Sequence, residues 1–217
     1  MKRTFALAAA VALGLGASQA FGQSVIYTFA DNTSDGWANA GFSSTPAAAV
    51  VTIGGQNYIS LPVGGFQVGN VAGGSGALFN AMAAAAANPS GYDISYNWYV
   101  NTATWTGSPT YLQIGTFWNQ GDGYYAQDYG SPNEVLLNGT QMASGNVFTG
   151  TVTINVGAIY APVAGDTFYR LGLILNSNGS GVVDFTDISV SPVPEPASLA
   201  LVGLGMAGLI MIRRRNS

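Results

Sequence analysis

The sequence contains neither cysteine nor histidine and has few charged residues. Of its 217 residues, six are basic and ten are acidic. Without cysteine no disulfide can stabilise the fold, so stability has to come from a hydrophobic core or a metal. Without histidine the commonest general base is missing, and so is every Ser–His or Cys–His nucleophile pair. Any hydrolytic activity would have to use carboxylates alone.

Positive charge is scarce in the middle of the chain. Between residues 23 and 191, Arg170 is the one basic residue against nine acidic residues, so this stretch has a net charge of −8. Binding of nucleic acid requires clustered lysine and arginine. We therefore expect no nucleic-acid partner, and neutral polymers, cations or other proteins remain. Arg170 itself is expected to pair with an acidic side chain or to reach a ligand.

The N-terminus has the three parts of a secretory signal peptide. Met1-Lys2-Arg3 is basic, residues 5–15 are apolar, and small residues precede possible cleavage points after Ala20 and Gly22. This order is typical of a segment that is removed on export. The sequence therefore predicts a signal peptide helix within residues 1–22.

The C-terminus combines a proline-rich motif, an apolar run and a basic cluster. Residues 193–196 read Val-Pro-Glu-Pro, residues 197–212 are apolar, and three arginines follow. As a helix the apolar run would be about 24 Å long, slightly short for a bilayer core of about 30 Å. Because arginines next to a membrane helix stay in the cytoplasm, the preceding chain is predicted to lie outside.

This C-terminal arrangement closely resembles the PEP-CTERM sorting signal, over residues 192–217. The resemblance implies a Gram-negative bacterium that makes exopolysaccharide, and cleavage near the PEP motif by an exosortase-type membrane protease. It implies that the protein is anchored in the inner membrane through its transmembrane helix and then reaches the cell surface or extracellular matrix. An ordinary C-terminal anchor is the alternative. The residues that carry the signal are Pro194, Glu195, Pro196, Arg213, Arg214 and Arg215.

Residues 23–191 show the alternation of apolar and polar residues that is typical of β-strands. In residues 92–101, Ile94, Tyr96 and Trp98 alternate with polar neighbours. Many short runs of this kind predict an all-β fold, an antiparallel two-sheet sandwich that is jelly-roll-like. One short, alanine-rich helix is predicted at Ala77–Ala87. The predicted strands are Ser24–Phe29, Ala48–Ile53, Gln56–Leu61, Tyr92–Asn101, Thr110–Trp118, Gly123–Asp128, Glu134–Leu137, Val147–Val156, Thr167–Asn176 and Gly181–Val190.

Two short segments resemble parts of jelly-roll carbohydrate-binding modules. Residues 29–37, with Phe-Ala-Asp and then Asp-Gly-Trp, resemble the opening strand and turn of these modules. Residues 183–190 resemble the closing strand, although Thr186 stands where the modules commonly have aspartate. The resemblance implies a β-sandwich that binds sugar without cleaving it.

Asp31 and Asp187 lie in these two segments and are candidate metal ligands. Their carboxylates, with backbone carbonyls, could hold a structural calcium ion that joins the first strand to the last. The alternative for residues 31–36 is a turn, because aspartate and asparagine side chains bond nearby backbone N–H groups. No other cofactor is expected.

Aromatic residues concentrate between residues 92 and 129, which hold seven of the 11 tyrosines and three of the four tryptophans. Trp98 and Trp118 fall on apolar faces and are predicted to be buried. Exposed rings stack on sugars and amides bond sugar hydroxyls, so a hairpin of residues 92–101 and 110–118 would form a sugar-binding surface. The alternative is that tyrosine simply populates strands and loops. The candidate ligand-binding residues are Tyr99, Trp105, Tyr111, Gln113, Tyr124 and Tyr125.

Three classes of function remain. The first is an exported module that binds matrix polysaccharide, and the second is a structural or adhesive matrix protein without a defined ligand. The third is a carbohydrate-active enzyme, for which Asp122 and Asp128 would be the paired carboxylates. The aromatic residues favour the first class. Since no catalytic groups converge in the sequence, we expect the protein not to be an enzyme.

Overall fold

The strand pattern is present in the structure, a computed structural model that describes residues 22–37, 48–63, 67–72, 76–120, 125–128, 135–159 and 164–194. At residues 67–72, 117, 119, 125–128 and 159 the backbone alone is described. These residues form eleven strands and three α-helices. The strands are β1 Val25–Tyr27, β2 Ala49–Ile53, β3 Gln56–Val63, β4 Gln67–Ala72, β5 Tyr92–Asn101, β6 Tyr111–Gln120, β7 Tyr125–Asp128, β8 Val135–Asn138, β9 Val147–Asn155, β10 Tyr169–Ser177 and β11 Gly181–Pro192; the helices are α1 Ala77–Ala87, α2 Gly139–Met142 and α3 Val156–Ile159.

The described strands form two antiparallel sheets. The six-stranded sheet has the order β2-β3-β11-β5-β9, with β1 paired to β11. The five-stranded sheet has the order β4-β10-β6-β7, with β8 also paired to β6. The predicted all-β fold, a two-sheet antiparallel sandwich with one short helix at Ala77–Ala87, is confirmed. The predicted terminal helices lie outside the described residues.

Alternating side chains of both sheets form the hydrophobic core. Ile94 and Tyr96 of β5 and Leu171 and Leu173 of β10 are fully buried, whereas the residues between them in β5 are only partly buried. Tyr96 packs edge-on against Phe185 with 5.7 Å between ring centroids. Burying a side chain of this size contributes roughly 1.5–3 kcal/mol, so the core supplies the stability that disulfides would otherwise give.

Helix α1 covers one part of the core with its small residues. Its buried positions follow the helical spacing i, i+3, i+4, i+7 and i+8, which places them on one side. Phe79 lies 5.4 Å from the Tyr169 ring of β10, centroid to centroid. The helix ends before Pro89, which cannot continue the hydrogen-bond ladder. The buried residues are Leu78, Ala81, Met82, Ala85 and Ala86.

The alternation of inward and outward side chains along strand β11 shifts by one residue at Asp187. Val183 and Phe185 are fully buried before this point, and Ile188 is fully buried after it, a step of three residues instead of two. Asp187 has a φ of +53°, which is uncommon for a residue with a side chain. An extra residue of this kind is a β-bulge. It coincides with a change of neighbour, since β3 pairs with residues 181–185 and β1 with residues 188–190.

The structure also contains elements that were not predicted, among them the short helices α2 and α3. The strand Gln67–Ala72 was not predicted, because its glycine and asparagine interrupt any apolar alternation. Trp118 is 2% exposed, as predicted, whereas Trp98 is less deeply buried and packs against the core. Trp98 lies opposite Gly150 on β9, where an added Cβ would be 2.9 Å from its Nε1. The indole therefore packs over the glycine backbone near the edge of the sheet.

Candidate functional site

The outward face of the five-stranded sheet carries a row of polar side chains next to a tyrosine. Leu171, Leu173 and Leu175 point into the core, so Asn176 between Leu175 and Ser177 points outwards. In the same way Leu112 points inwards and its neighbours Tyr111 and Gln113 point outwards. We call Tyr111, Gln113 and Asn176 the Tyr111 face.

Hydrogen bonds hold the Tyr111 face in one arrangement. Asn176 pairs with Gln113 across β10 and β6, and its Nδ2 donates to Gln113 Oε1 over 2.8 Å. The Tyr111 hydroxyl donates to Asn176 Oδ1 over 3.4 Å. Since both amide groups are fixed by neighbours on rigid strands, the Gln113 amide and the Tyr111 ring are positioned before any ligand arrives.

The accessible part of this face is its Tyr111 end. Leu136 of β8 lies opposite Gln113 and is 55% exposed, which adds an apolar surface beside the amides. Ile174, also on the outward side, is fully buried, so the face is covered at that point. Arg170 lies further along β10, and its guanidinium carbon is 5.1 Å from the centroid of the Phe168 ring. This distance is within the range of a cation–π contact.

Residues 92–101 and 110–118 do not pair as a hairpin. Strands β5 and β6 belong to different sheets, so Tyr99 lies on the outward face of the six-stranded sheet, away from Tyr111 and Gln113. The chain crosses from one sheet to the other through the loop of residues 102–110. Tyr124 lies outside the described residues, and Tyr125 is described by its backbone, which pairs with Asn119. The predicted single surface is therefore divided between two faces.

Trp105 was predicted to be an exposed ring in this loop, and the structure corrects that prediction. Its side chain is 9% exposed and belongs to the hydrophobic core. The indole lies directly against Gly181, where an added Cβ would overlap the ring. Two backbone hydrogen bonds between Thr106 and Ser180, of 2.9 and 3.0 Å, fix the loop beside it. Trp105 thus holds the loop to the start of β11.

A cavity of about 710 Å³ lies between this loop and the residues of α2 and the turn after it. Met142 and Trp105 supply apolar walls and Thr110 a polar one. The Trp105 indole nitrogen is buried and has no hydrogen-bond partner in the described part of the chain. Because Thr110 directly precedes Tyr111, the cavity adjoins the Tyr111 end of the sheet.

The two predicted metal ligands bind other groups in the structure. Asp31 Oδ1 accepts hydrogen bonds from the Thr33 N–H and hydroxyl, which lower the pKa of Asp31. Asp187 Oδ2 accepts from two side-chain amides. Within the described ranges no three acidic side chains cluster around a common point. The calcium site stays a prediction, which melting curves of the wild type and Asp187→Ala in calcium or chelator would test.

Asp184 of β11 is a buried acidic residue on the outward face of the six-stranded sheet. It is 6% exposed, and its Oδ1 has no hydrogen-bond partner among the described residues. Its side chain bonds to Ser60 on the neighbouring strand. Burial raises the pKa of Asp184 above its ordinary value of 3.8, because the charged form is poorly solvated, and the Ser60 bond offsets this in part.

Stability should therefore fall as the pH rises through the folded-state pKa of Asp184. A raised pKa means that the folded protein binds the proton more tightly than the unfolded chain. This contribution is fully present below the ordinary pKa and is lost as the carboxyl ionises in the folded state. Denaturant midpoints measured from acidic to neutral pH check it. Asp184→Asn cannot ionise and should remove this part of the slope, and equal slopes for both proteins would contradict the assignment.

Of the residues predicted to carry the sorting signal, Pro194 alone lies within the described ranges. Strand β11 ends at Pro192, and Pro194 follows as an exposed residue outside any strand. Glu195, Pro196, the arginines Arg213–Arg215 and the predicted membrane segment 197–212 lie outside the described ranges. No helix within those ranges is long and apolar enough to cross a bilayer.

Each part of the chain is similar to known proteins. Residues 192–215 match the PEP-CTERM protein-sorting motif. A carbohydrate-binding module of family 28, described as specific for non-crystalline cellulose, has a TM-score of 0.50 at 16% identity, covering 75% of this chain and 90% of its own. A family 30 module from Clostridium thermocellum is also similar, with a TM-score of 0.48 at 12% identity, covering 79% of this chain and 99% of its own. A xylan-binding domain from Paenibacillus barcinonensis has a TM-score of 0.46 at 11% identity, covering 79% of this chain and 94% of its own. No curated protein matches the chain.

The described residues thus have the fold of the β-sandwich carbohydrate-binding modules. The chain also carries the PEP-CTERM sorting motif at its C-terminus, which confirms the resemblance noted in the sequence. The motif implies an exported protein that is sorted through the membrane.

Proposed function

We propose that this protein binds a neutral polysaccharide without cleaving it, at the cell surface or in the extracellular matrix. The observation that carries the proposal is the Tyr111 face, a ring and two fixed amides on the outward side of a carbohydrate-binding-module fold. An exosortase-type membrane protease is the proposed processing partner, on the basis of the sorting motif.

The chemistry of the Tyr111 face suits a sugar. The Tyr111 ring offers a flat apolar surface on which the C–H face of a pyranose can stack. The Gln113 amide supplies N–H donors and its oxygen already accepts from Asn176, so its orientation is set. Leu136 extends the apolar surface at the side. Binding sites for small ligands and glycans typically combine a few polar groups in fixed positions with an apolar surface.

The negative charge of the protein favours neutral polysaccharides over anionic ones. The net charge of −8 over residues 23–191 repels strongly anionic polymers. Neutral glycans have no such penalty, and ring stacking with neutral hydrogen bonds depends little on ionic strength. The similar modules are described as binding non-crystalline cellulose and xylan, and soluble cellulose and xylan fragments are therefore the first probes we propose.

Replacing Tyr111 by alanine should weaken glycan binding about tenfold, which corresponds to about 1.4 kcal/mol. Asn176→Ala should have a similar effect, because it releases both Tyr111 and Gln113. Affinity electrophoresis of the exported protein in gels containing hydroxyethyl cellulose, xylan or the producing strain's exopolysaccharide measures the change. Ile26→Ala is the control, since Ile26 is exposed on β1 and lies in the other sheet.

The outcomes separate two functions. Binding that persists at high salt and is weakened in Tyr111→Ala supports the proposal. If the wild type is retarded by none of the three glycans, the polysaccharide proposal fails. A structural or adhesive matrix protein without a defined ligand would then be the better hypothesis.

A further inference from the structure

The outward face of the six-stranded sheet carries a pair of tyrosine rings that are not part of the Tyr111 face. Tyr58 of β3 and Tyr99 of β5 are half-buried, with ring centroids 6.1 Å apart and ring planes inclined by 54°. Strand β11 lies between β3 and β5. Asp184 points outwards from it, because its neighbours Val183 and Phe185 are buried in the core. We call Tyr58, Tyr99 and Asp184 the Tyr99 face.

Asp184 lies on the strand between those that carry the two rings, and one of its oxygens lacks a hydrogen bond within the described part of the chain. Burial raises the pKa of Tyr58, and the negative charges of Asp187 and Asp184 and the nearby Tyr99 raise it further. One oxygen of Asp184 receives no donor from the described residues. Leaving a buried acceptor unpaired destabilises the fold, because the oxygen has lost its water without gaining a donor. A ligand that brings a donor to this oxygen would offset this loss.

The other polar side chains on this side of the sheet are already hydrogen-bonded to one another. Asp187 Oδ2 accepts from Asn97 Nδ2 over 2.8 Å and from Gln56 Nε2 over 3.2 Å. Asn97 Oδ1 in turn accepts from the Thr151 hydroxyl over 2.6 Å. These groups form a fixed frame and cannot turn to supply the missing donor without breaking bonds of their own.

The missing partner has the chemistry of a hydroxyl donor. A calcium ion would require six to eight oxygen ligands, and no three acidic side chains of the described residues cluster here. Two tyrosine rings beside a hydroxyl acceptor instead match the two parts of a sugar ring, its apolar face and its O–H groups. The Tyr58 and Tyr99 side chains would turn apart about χ1 to let a hydroxyl reach the carboxyl.

We propose that the Tyr99 face is a second glycan-binding site, in which a sugar ring lies against Tyr58 and Tyr99 and a hydroxyl donates to Asp184. The proposal rests on the function proposed above and extends it. In a sandwich the two sheets pack through their inner faces, so their outward faces point in opposite directions. One molecule with a site on each face could hold two polysaccharide chains and cross-link them.

The test uses the full chain in mild detergent, titrated calorimetrically with cellohexaose and xylohexaose, with melting temperatures recorded for every variant. Tyr99→Ala should halve the number of oligosaccharides bound per protein, and so should Tyr111→Ala. Combining both substitutions should remove binding. Asp184→Ala should act like Tyr99→Ala, and Tyr99→Phe, which keeps the ring, should bind like the wild type.

Cross-linking is measured with long hydroxyethyl cellulose or xylan and monomeric protein. Light scattering should rise with the wild type, and each single alanine variant should remove the rise although it still binds. If Tyr111→Ala alone removes all bound oligosaccharide, or if Tyr99→Ala cross-links like the wild type, the second site is overturned while the proposed function stands. If the wild type binds neither oligosaccharide nor the producing strain's exopolysaccharide, both proposals are overturned.

Discussion

Replacing Trp105 by alanine should lower the free energy of unfolding by about 3–5 kcal/mol, as for other buried tryptophans. Its side chain is buried and lies against Gly181, so the truncation would leave a cavity between the loop and the start of β11. A domain of this size has a total stability of about 5–15 kcal/mol. The variant should therefore unfold at much lower urea concentration than the wild type.

Two further variants locate the effect at this contact. Gly181→Ala should also destabilise the protein, because its new Cβ would overlap the Trp105 ring. Trp98→Ala should cost less than Trp105→Ala, since Trp98 is half-buried. Urea denaturation followed by circular dichroism measures all three. A change below about 1 kcal/mol in Trp105→Ala would mean that the ring is exposed, as its sequence context suggests.

Local pattern was sufficient to predict most strands and helix α1, because their signals lie within each segment. The alternation in residues 92–101 and the alanine run at Ala77–Ala87 need no knowledge of distant residues. Strand partners are different, since a period of two does not say which strand lies alongside. Consecutive strands are neighbours about two-thirds of the time. Strands β5 and β6 are an exception, since they belong to different sheets and do not form the hairpin considered for them.

Trp105 shows the same limit at a single residue. Its neighbours Thr106, Gly107, Ser108 and Pro109 are typical of an exposed loop. The surface that buries the ring is Gly181, which lies far along the chain and is brought there by the pairing of Thr106 with Ser180. Nothing within the loop indicates that contact.

The candidate site was predicted in part. Tyr111 and Gln113 were correctly placed on an outward side by their alternation with Leu112. Asn176 was missed, although its alternation with Leu175 indicates that it points outwards. Its importance comes from its position opposite Gln113, which depends on the pairing of β10 with β6. The sugar-binding role of these residues remains a prediction.

Replacing Arg213–Arg215 by alanine, or residues 194–196 by alanine, should prevent sorting and leave the β-sandwich folded. Residues Gln23–Ser191 form one compact unit, and the buried hydrophobic residues of the described ranges lie between Phe29 and Val190. The substitutions therefore remove no core contact. The motif over residues 192–215 is the feature that a processing enzyme would recognise. Without it the precursor should accumulate at the membrane.

Cell fractionation and circular dichroism together check this expectation. The wild type should reach the surface or matrix fraction in a shortened form, whereas both variants should stay in the membrane fraction at precursor length. Alanine at Asn216 and Ser217, which follow the arginines, is the matched control and should sort normally. The β-type spectrum should be the same in all of them, because β11 ends at Pro192 before any substituted position. Normal sorting of either variant would show that the motif does not direct sorting. Loss of the β-type spectrum would show that these residues belong to the fold.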